Sequence, residues 1–498
     1  MIKKIMMLLL LSITLGTAQT SVSLRGVVTD SATGEDLIGA AVTVEDMRTG
    51  TFSNAYGFYS VTLPPGEHIV IFSFIGYETR RENLNLLGNT VLNVELKQSV
   101  IGLEEVLVSA ERRDQALTST RMSVAKLDIR DIAIMPVLFG EADILKTIQL
   151  LPGISSASEG STGFNVRGGA NDENLILLDE ATIYSPSHLL GFISIFNSDV
   201  LNDVTVYKGG IPAYYGGRTS SVIDVQMNNG NSKTFSGKAG IGLISSRLTL
   251  EGPVVKDKVS FIVSGRRSYA DLILKALPLD LIPDNTQLYF YDFNAKINYR
   301  INDNNRLFLS GYFGDDVFGF KDVLGTSWGN KTGTLRWNHL FSDRLFSNLS
   351  LIHSNYQYGF RLGEDAYMTS GIVNISAKED MTFFPNPENT MRMGILTGYY
   401  RFNPGKLVTG ADSSAFRIVL EEKYAAETAL YISNEQRLSP LFAMEYGLRI
   451  SAFAQIGPGT IYQYDDDKNI TDSSFYNTGE IIKHYINPEP RLSMNYRF

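Results

Sequence analysis

Residues Gly163–Val225 read GFNVRGGANDENLILLDEATIYSPSHLLGFISIFNSDVLNDVTVYKGGIPAYYGGRTSSVIDV. Two short apolar runs, Leu175–Leu178 and Asp203–Tyr207, are bounded by turn residues, the pattern of buried strands. Three glycine pairs punctuate the stretch: Gly168-Gly169, Gly209-Gly210 and Gly216-Gly217. Such pairs allow left-handed backbone and close approach of another segment. Upstream, Glu141–Leu151 places Ile144, Leu145, Ile148 and Leu151 at helical spacing, and Pro152-Gly153 ends the run. Downstream, NNGNSK after Met227 is a turn-rich break. A compact mixed α/β unit over residues 115–229 is the expectation.

After Phe235 the texture changes to long alternating segments. In Tyr289–Ile301 (YFYDFNAKINYRI) the odd positions are Tyr291, Phe293, Ala295, Ile297 and Tyr299, and the even ones Asp292, Asn294, Lys296, Asn298 and Arg300. One face suits hydrocarbon and the other a polar lumen. NDNN then makes a short turn and Arg306–Phe313 returns; Phe442–Ala454 repeats the pattern. A membrane strand needs about 9–11 residues, whereas globular strands average about 5–6. The lengths favour a membrane barrel over 235–498, against a large soluble β-sandwich. Eleven candidate strands can be counted in this half. Plugged transporter barrels take about 22, and single-chain bacterial barrels have even numbers. Eleven strands would leave two bare edges in lipid. The expectation is therefore the N-terminal half of a barrel, truncated at its C-terminus.

The N-terminus carries Lys3-Lys4, an apolar run Ile5–Leu15 and small residues to Ala18. That is the pattern of a cleaved signal peptide, residues 1–18, on an exported protein. Residues 22–97 alternate short strands (Leu24–Asp30, Gly39–Met47, Gly57–Leu63, His68–Glu78, Asn89–Leu96) with turns, Pro64-Pro65-Gly66 among them. This spacing predicts a small β-sandwich. The linker 98–114 holds Glu105-Val106-Leu107-Val108-Ser109-Ala110. It is β-prone and reads equally as an exposed extended peptide or as the first strand of the next unit.

The formal charge of −9 argues against nucleic acid, which needs a basic face. With no cysteine, a disulfide framework, a thiol nucleophile and a Cys zinc site are excluded. The five histidines (68, 188, 339, 353, 484) lack zinc-hydrolase spacing, and no nucleophile elbow, Walker loop or dinucleotide fingerprint occurs. No catalytic residue, metal or cofactor is expected. Asp465, Asp467 and Asn469 alternate like calcium ligands, but Ile470 and Tyr476 stand where such a loop needs Gly and Glu, which favours a solvated loop. DDVFGFKDVLGTSW (Asp315–Trp328) reads as an aromatic loop, at a ligand or at the membrane surface.

NVRGG (165–169), LILLDE (175–180), VTVYKGG (204–210) and YYGGRTSSVIDV (214–225), in this order, resemble the plug domain of TonB-dependent outer-membrane receptors. Residues 22–97 resemble the carboxypeptidase regulatory-like domain that often precedes such plugs, through Arg25-Gly26, Asn54, Gly57-Phe58, Pro65-Gly66 and Gly76-Tyr77. The resemblance implies a mainly β chain: a small sandwich, a mixed plug and part of a transmembrane barrel. It implies that Glu105–Ala110 is a Ton box gripped by a TonB-type transducer. It also implies that Arg167, with Gly168 and Gly169 beside it, and Arg218 latch the plug to barrel glutamates. Energy-coupled uptake of a scarce or large substrate (metal chelate, glycan or peptide) follows, with an extracellular ligand and a surface lipoprotein as candidate partners. The competing expectation is a secreted or surface all-β binding or adhesion protein.

Overall fold

A computed structural model describes residues 21–47, 49–99, 123–127, 129, 141–276, 286–320, 323–363, 366–409, 416–439 and 441–496. The leader 1–18 and the segment 105–110 lie outside the described residues.

The N-terminal unit is a sandwich of two four-stranded sheets. Val22–Asp30 pairs with Phe58–Leu63 on one side, and with the short strands Thr90–Val91 and Val94–Leu96 on the other. The second sheet runs Thr49–Phe52, Ala41–Val44, Gly66–Ser73, Arg80–Leu86. Leu24, Val28, Val42, Val44, Tyr59, Val70 and Phe72 fill the space between the sheets. Two strands were not anticipated, Thr49–Phe52 and Arg80–Leu86. TGTF and RRENLNL are edge strands, mostly outside the core, so neither carries the apolar alternation that marks a strand in sequence. Phe58–Leu63 is buried along its whole length. Tyr59, Val61 and Leu63 face the sandwich core, and Phe58 packs instead on Leu340, Phe346 and Phe384 of the C-terminal sheet.

The central unit is a five-stranded sheet in the order Ala181–Thr182, Asn174–Leu178, Ser221–Met227, Leu201–Tyr207, Val124–Leu127. Asn174–Leu178 and Ser221–Met227 are parallel and the other pairs antiparallel. The expected helix is present as Ile144–Gln149. Asp143 caps it by accepting from the amides of Leu145 and Lys146, and Ile144, Leu145 and Ile148 enter the core. Each glycine pair divides its labour. Gly168, Gly210 and Gly217 adopt positive φ. A side chain at Gly209 would collide with the Arg167 guanidinium, and one at Gly216 with that of Arg449.

From Ser236 the chain forms a thirteen-stranded antiparallel sheet, wrapped around the central unit. Its strands from Thr286 onward, apart from the four-residue Phe416–Val419, are long: Thr286–Asn302, Asn305–Phe320, Leu324–Ser342, Leu345–Leu362, Ala366–Asn386, Asn389–Thr409, Lys423–Ser439, Phe442–Ile456 and Ile481–Tyr496. Among the described residues thirteen strands stand where eleven are expected. The stretch from Phe235 to Val255 alone holds two of them, Ser236–Ile241 and Ser245–Val255, reversed at Gly242. Burial is inverted relative to a soluble protein. Phe293, Ile297, Leu309, Leu335, Leu351 and Leu430 are exposed, while Asp292, Asn294, Lys296, Asn298, Arg336 and Asn338 are buried inside. Only an apolar solvent makes that arrangement favourable.

Candidate functional site

The site is the seam between the central unit and the surrounding wall, and its chemistry begins in LILLDE. Asp179 and Glu180 follow the buried strand Asn174–Leu178, and both adopt positive φ, +46° and +72°. Neither is glycine, so the turn carries strain that its surroundings must hold. The holding groups are wall cations. The Lys296 ammonium lies 3.1 Å from an Asp179 carboxylate oxygen and donates to the Met227 carbonyl at 2.7 Å. Arg336 and Lys378 flank Glu180 at 3.7 and 3.8 Å, and Asn348 donates to it at 3.0 Å. Burial works against ionising both acids. Lys296 beside Asp179, and Arg336 beside Glu180, outweigh it and hold both carboxyls below their ordinary range.

A second buried cluster lies along the seam. His188 Nδ1 sits 2.6 Å from Asp316 and its Nε2 3.1 Å from Asp292, with the Phe290 ring stacked on the imidazole at 4.1 Å. The amide of Leu189 donates to Asp316 at 2.7 Å. Arg266 uses its whole fork: Nε to Asp292 at 2.8 Å, Nη1 to Glu141 at 2.7 Å and Nη2 to the Ser194 carbonyl at 2.9 Å. Glu141, His188 and Ser194 belong to the central unit; Arg266, Asp292 and Asp316 belong to the wall. Burial lowers the tendency of His188 to protonate, but the neighbouring Asp316 and Asp292 reverse the balance and raise it.

The expected latch residues lie elsewhere. Arg167 donates to Ser123 at 2.6 Å and Arg218 to the Gly217 carbonyl at 2.8 Å, in exposed surroundings. With Gly168, Gly169 and Lys208 they line a cavity of about 920 Å³ that faces Glu445 and Arg491 of the wall. Neither arginine forms an ion pair with a wall glutamate among the described residues. The polarity found in the two clusters is largely the reverse: wall cations hold acids of the central unit. Asp315–Trp328 is also not a free loop. It forms the ends of two paired strands, with Asp316 on His188 and the Trp328 indole NH donating to the Ser187 carbonyl at 3.4 Å. Asp465 accepts from Asn469 within the turn of the hairpin Gly459–Tyr464/Ile470–Tyr476.

Sequence reasoning missed Asp179, Glu180, Glu141 and His188 as site residues. One signal was available: Lys296 stands on the lumen face of an alternating strand, where a buried cation requires a counter-charge.

The geometry is thus a wall filled by an insert that charged seams hold in place. Comparisons agree. A CarboxypepD_reg-like domain matches residues 24–108 and a TonB-dependent receptor plug domain matches residues 137–222. The chain is 27% identical over 254 residues to TonB-dependent receptor P39 of Formosa agariphila, covering 49% of this chain and 23% of that protein. It is 26% identical over 283 residues to TonB-dependent receptor SusC of Bacteroides thetaiotaomicron, covering 53% and 26%. The matched stretches thus span about a quarter of each relative. In fold, the chain is similar to the copper transporter OprC (TM-score 0.54, 9% identity, covering 75% of this chain and 60% of that one). It is also similar to the FrpB iron transporter of Neisseria meningitidis (TM-score 0.53, 13% identity, covering 75% and 62%). The chain carries the accessory domain and the plug of the TonB-dependent receptors, and its curated relatives are members of that family.

Proposed function

We propose that this chain acts in energy-coupled uptake across an outer membrane, as a TonB-dependent receptor. The observation that carries the proposal is the charged seam within an inverted wall: apolar residues outside, ions inside, and a folded plug between. A substrate too large or scarce for diffusion binds from outside, against the plug and the wall loops. Glu105–Ala110 is the segment a TonB-type transducer grips, by adding an extended strand to its own sheet edge. Pulling on it loads Val124–Leu127, the edge strand of the plug sheet. Transport is a conformational change, with no covalent chemistry assigned to the chain. Metal chelates, glycans and peptides are the substrate classes proposed, and a surface lipoprotein is a candidate partner. The latch role of Arg167 and Arg218 rests on the family resemblance, since their contacts here are to Ser123 and Gly217.

Val106→Pro tests the reading. Proline removes a main-chain donor from the gripped strand. Energised uptake should fall to the level of a strain lacking the transducer, while substrate binding to whole cells stays unchanged. Uptake at the parent rate would reject the assignment of Glu105–Ala110.

A further inference from the structure

We propose that the N-terminal sandwich is a second stopper: it closes the mouth of the wall beneath the plug, and it is released together with the plug because one wall cluster holds both. The inference rests on the receptor reading above and adds a function for the accessory domain.

The wall has tight turns along one rim, at Asn302–Asn305, Ser342–Leu345, Asn386–Asn389 and Ser439–Phe442. The sandwich sits against this rim. Asp343 takes the Arg25 guanidinium at 2.5 Å and the Asn89 amide at 2.7 Å, and its carbonyl accepts from Ser60 at 2.8 Å. Arg344 donates to Ser23 at 2.8 Å, and Arg437 to the Gly50 carbonyl at 2.9 Å. These contacts explain why Phe58–Leu63 is buried along its whole length.

The tip of the sandwich reaches further, into the lumen. Tyr56 lies 5.5 Å from the Phe346 ring, 5.9 Å from the Phe308 ring, and 5.3 Å from the Arg336 guanidinium. Three wall cations surround that same Phe308 ring: Lys296 at 5.7 Å, Arg306 at 4.8 Å and Arg336 at 5.9 Å. Each is tied to the sandwich, to the plug, or to both. Arg306 pairs with Asp36 of the sandwich at 2.7 Å, and Lys296 with Asp179 of the plug. Arg336 faces both, with Tyr56 on one side and Glu180 on the other. The end of the plug joins directly as well, since the Asn229 amide group donates to Asp36 at 2.9 Å.

A solute passing the plug would still meet Tyr56, Phe58 and Asp36. Passage therefore requires the sandwich to leave. Loss of the plug acids frees Arg336 from Glu180 and loosens its hold on Tyr56. The segment from which force would be applied lies between the two bodies in the chain, so one pull loads both.

The absence of native cysteine makes the test direct. In isolated outer-membrane fragments, Ser60→Cys with Asp343→Cys should cross-link on mild oxidation. Ser60→Cys alone should react slowly with a bulky maleimide. Adding Glu180→Gln should raise that rate about tenfold, the effect of losing one charge-assisted contact from the seal. Thr79→Cys, on an exposed part of the sandwich, should react fast in every background and gives the rate of an unprotected thiol. Fast Ser60→Cys labelling with Asp343 intact would overturn the docking. Cross-linking with a maleimide rate indifferent to Glu180→Gln would overturn the coupling. Neither readout needs energy or substrate, so a failure of Val106→Pro to stop uptake leaves this result standing and faults the uptake reading instead.

Discussion

Asp179→Ala should lower the melting temperature of the detergent-purified protein by roughly 10 °C, the equivalent of about 3–5 kcal/mol. The loss comes less from the missing attraction than from what remains. Lys296 is 4% exposed, inside a wall that water cannot readily enter, and its remaining hydrogen bond among the described residues is to the Met227 carbonyl. A buried ammonium without a counter-charge is costly. The strained turn at Asp179-Glu180 also loses its anchor. Asp179→Asn combined with Lys296→Gln removes both charges and keeps hydrogen-bonding groups, so it should recover most of the stability. Equal melting of Asp179→Ala and the parent would show that this pair does not hold the plug.

Arg266→Lys should be nearly as damaging as Arg266→Met. The guanidinium serves three acceptors at once: Asp292, Glu141 and the Ser194 carbonyl. A lysine ammonium is a point charge and cannot span them. Two carboxylates and a carbonyl would then share a site with fewer donors in reach than they need. Limited proteolysis within the first residues of the plug should accelerate by about two orders of magnitude, the effect of losing roughly 3 kcal/mol of local protection. Cleavage at the parent rate in Arg266→Lys would mean that charge alone suffices.

The same cluster sets a pH dependence. His188 has a raised pKa in the folded chain. Its stabilising contribution is therefore complete below the ordinary histidine value of about 6.5, and fades as pH rises through the folded value. His188→Gln should flatten that limb of a melting-temperature profile. Glu35, in the sandwich, acts over a neighbouring window. Burial is the larger cause and Asp36 the next, and together they push its carboxyl up to about 8 against the opposing pull of Lys296 and Arg306. A raised carboxyl costs stability as pH climbs from its unfolded value, about 4.5, to its folded one. Docking of the sandwich should thus weaken between those limits. Glu35→Gln should remove the slope, measurable as the pH dependence of Ser60→Cys labelling relative to that of Thr79→Cys, which cancels the ionisation of the thiol itself.

Much of the architecture is visible in local pattern. The Tyr289–Ile301 alternation predicts its lipid and lumen faces residue by residue, because side-chain direction in a strand alternates strictly. The helix after Asp143 is legible for the same kind of reason, through its period. The seam is not. Asp179 meets Lys296 and Glu141 meets Arg266 across more than a hundred residues of chain. No local period records such a partnership. Arg167 and Arg218 drew attention because they stand in recognisable motifs, while Glu141 and His188 stand in none. The spacing of His188 excludes a zinc site and says no more, because its burial between two aspartates depends on strands that begin almost a hundred residues later. The edge strands Thr49–Phe52 and Arg80–Leu86 escaped notice because they pack only one weak face.

The inverted wall has a consequence before folding begins. Its oily residues are diluted by a polar neighbour at almost every second position, as in Asp292, Asn294, Lys296 and Asn298 between Tyr291, Phe293, Ile297 and Tyr299. An extended chain of this kind offers no continuous greasy run for a secretion channel to release sideways into the first bilayer it crosses. Only when the segments pair, and every second residue swings to the same side, does the molecule acquire a surface that prefers oil. Affinity for lipid is postponed until the strands have paired.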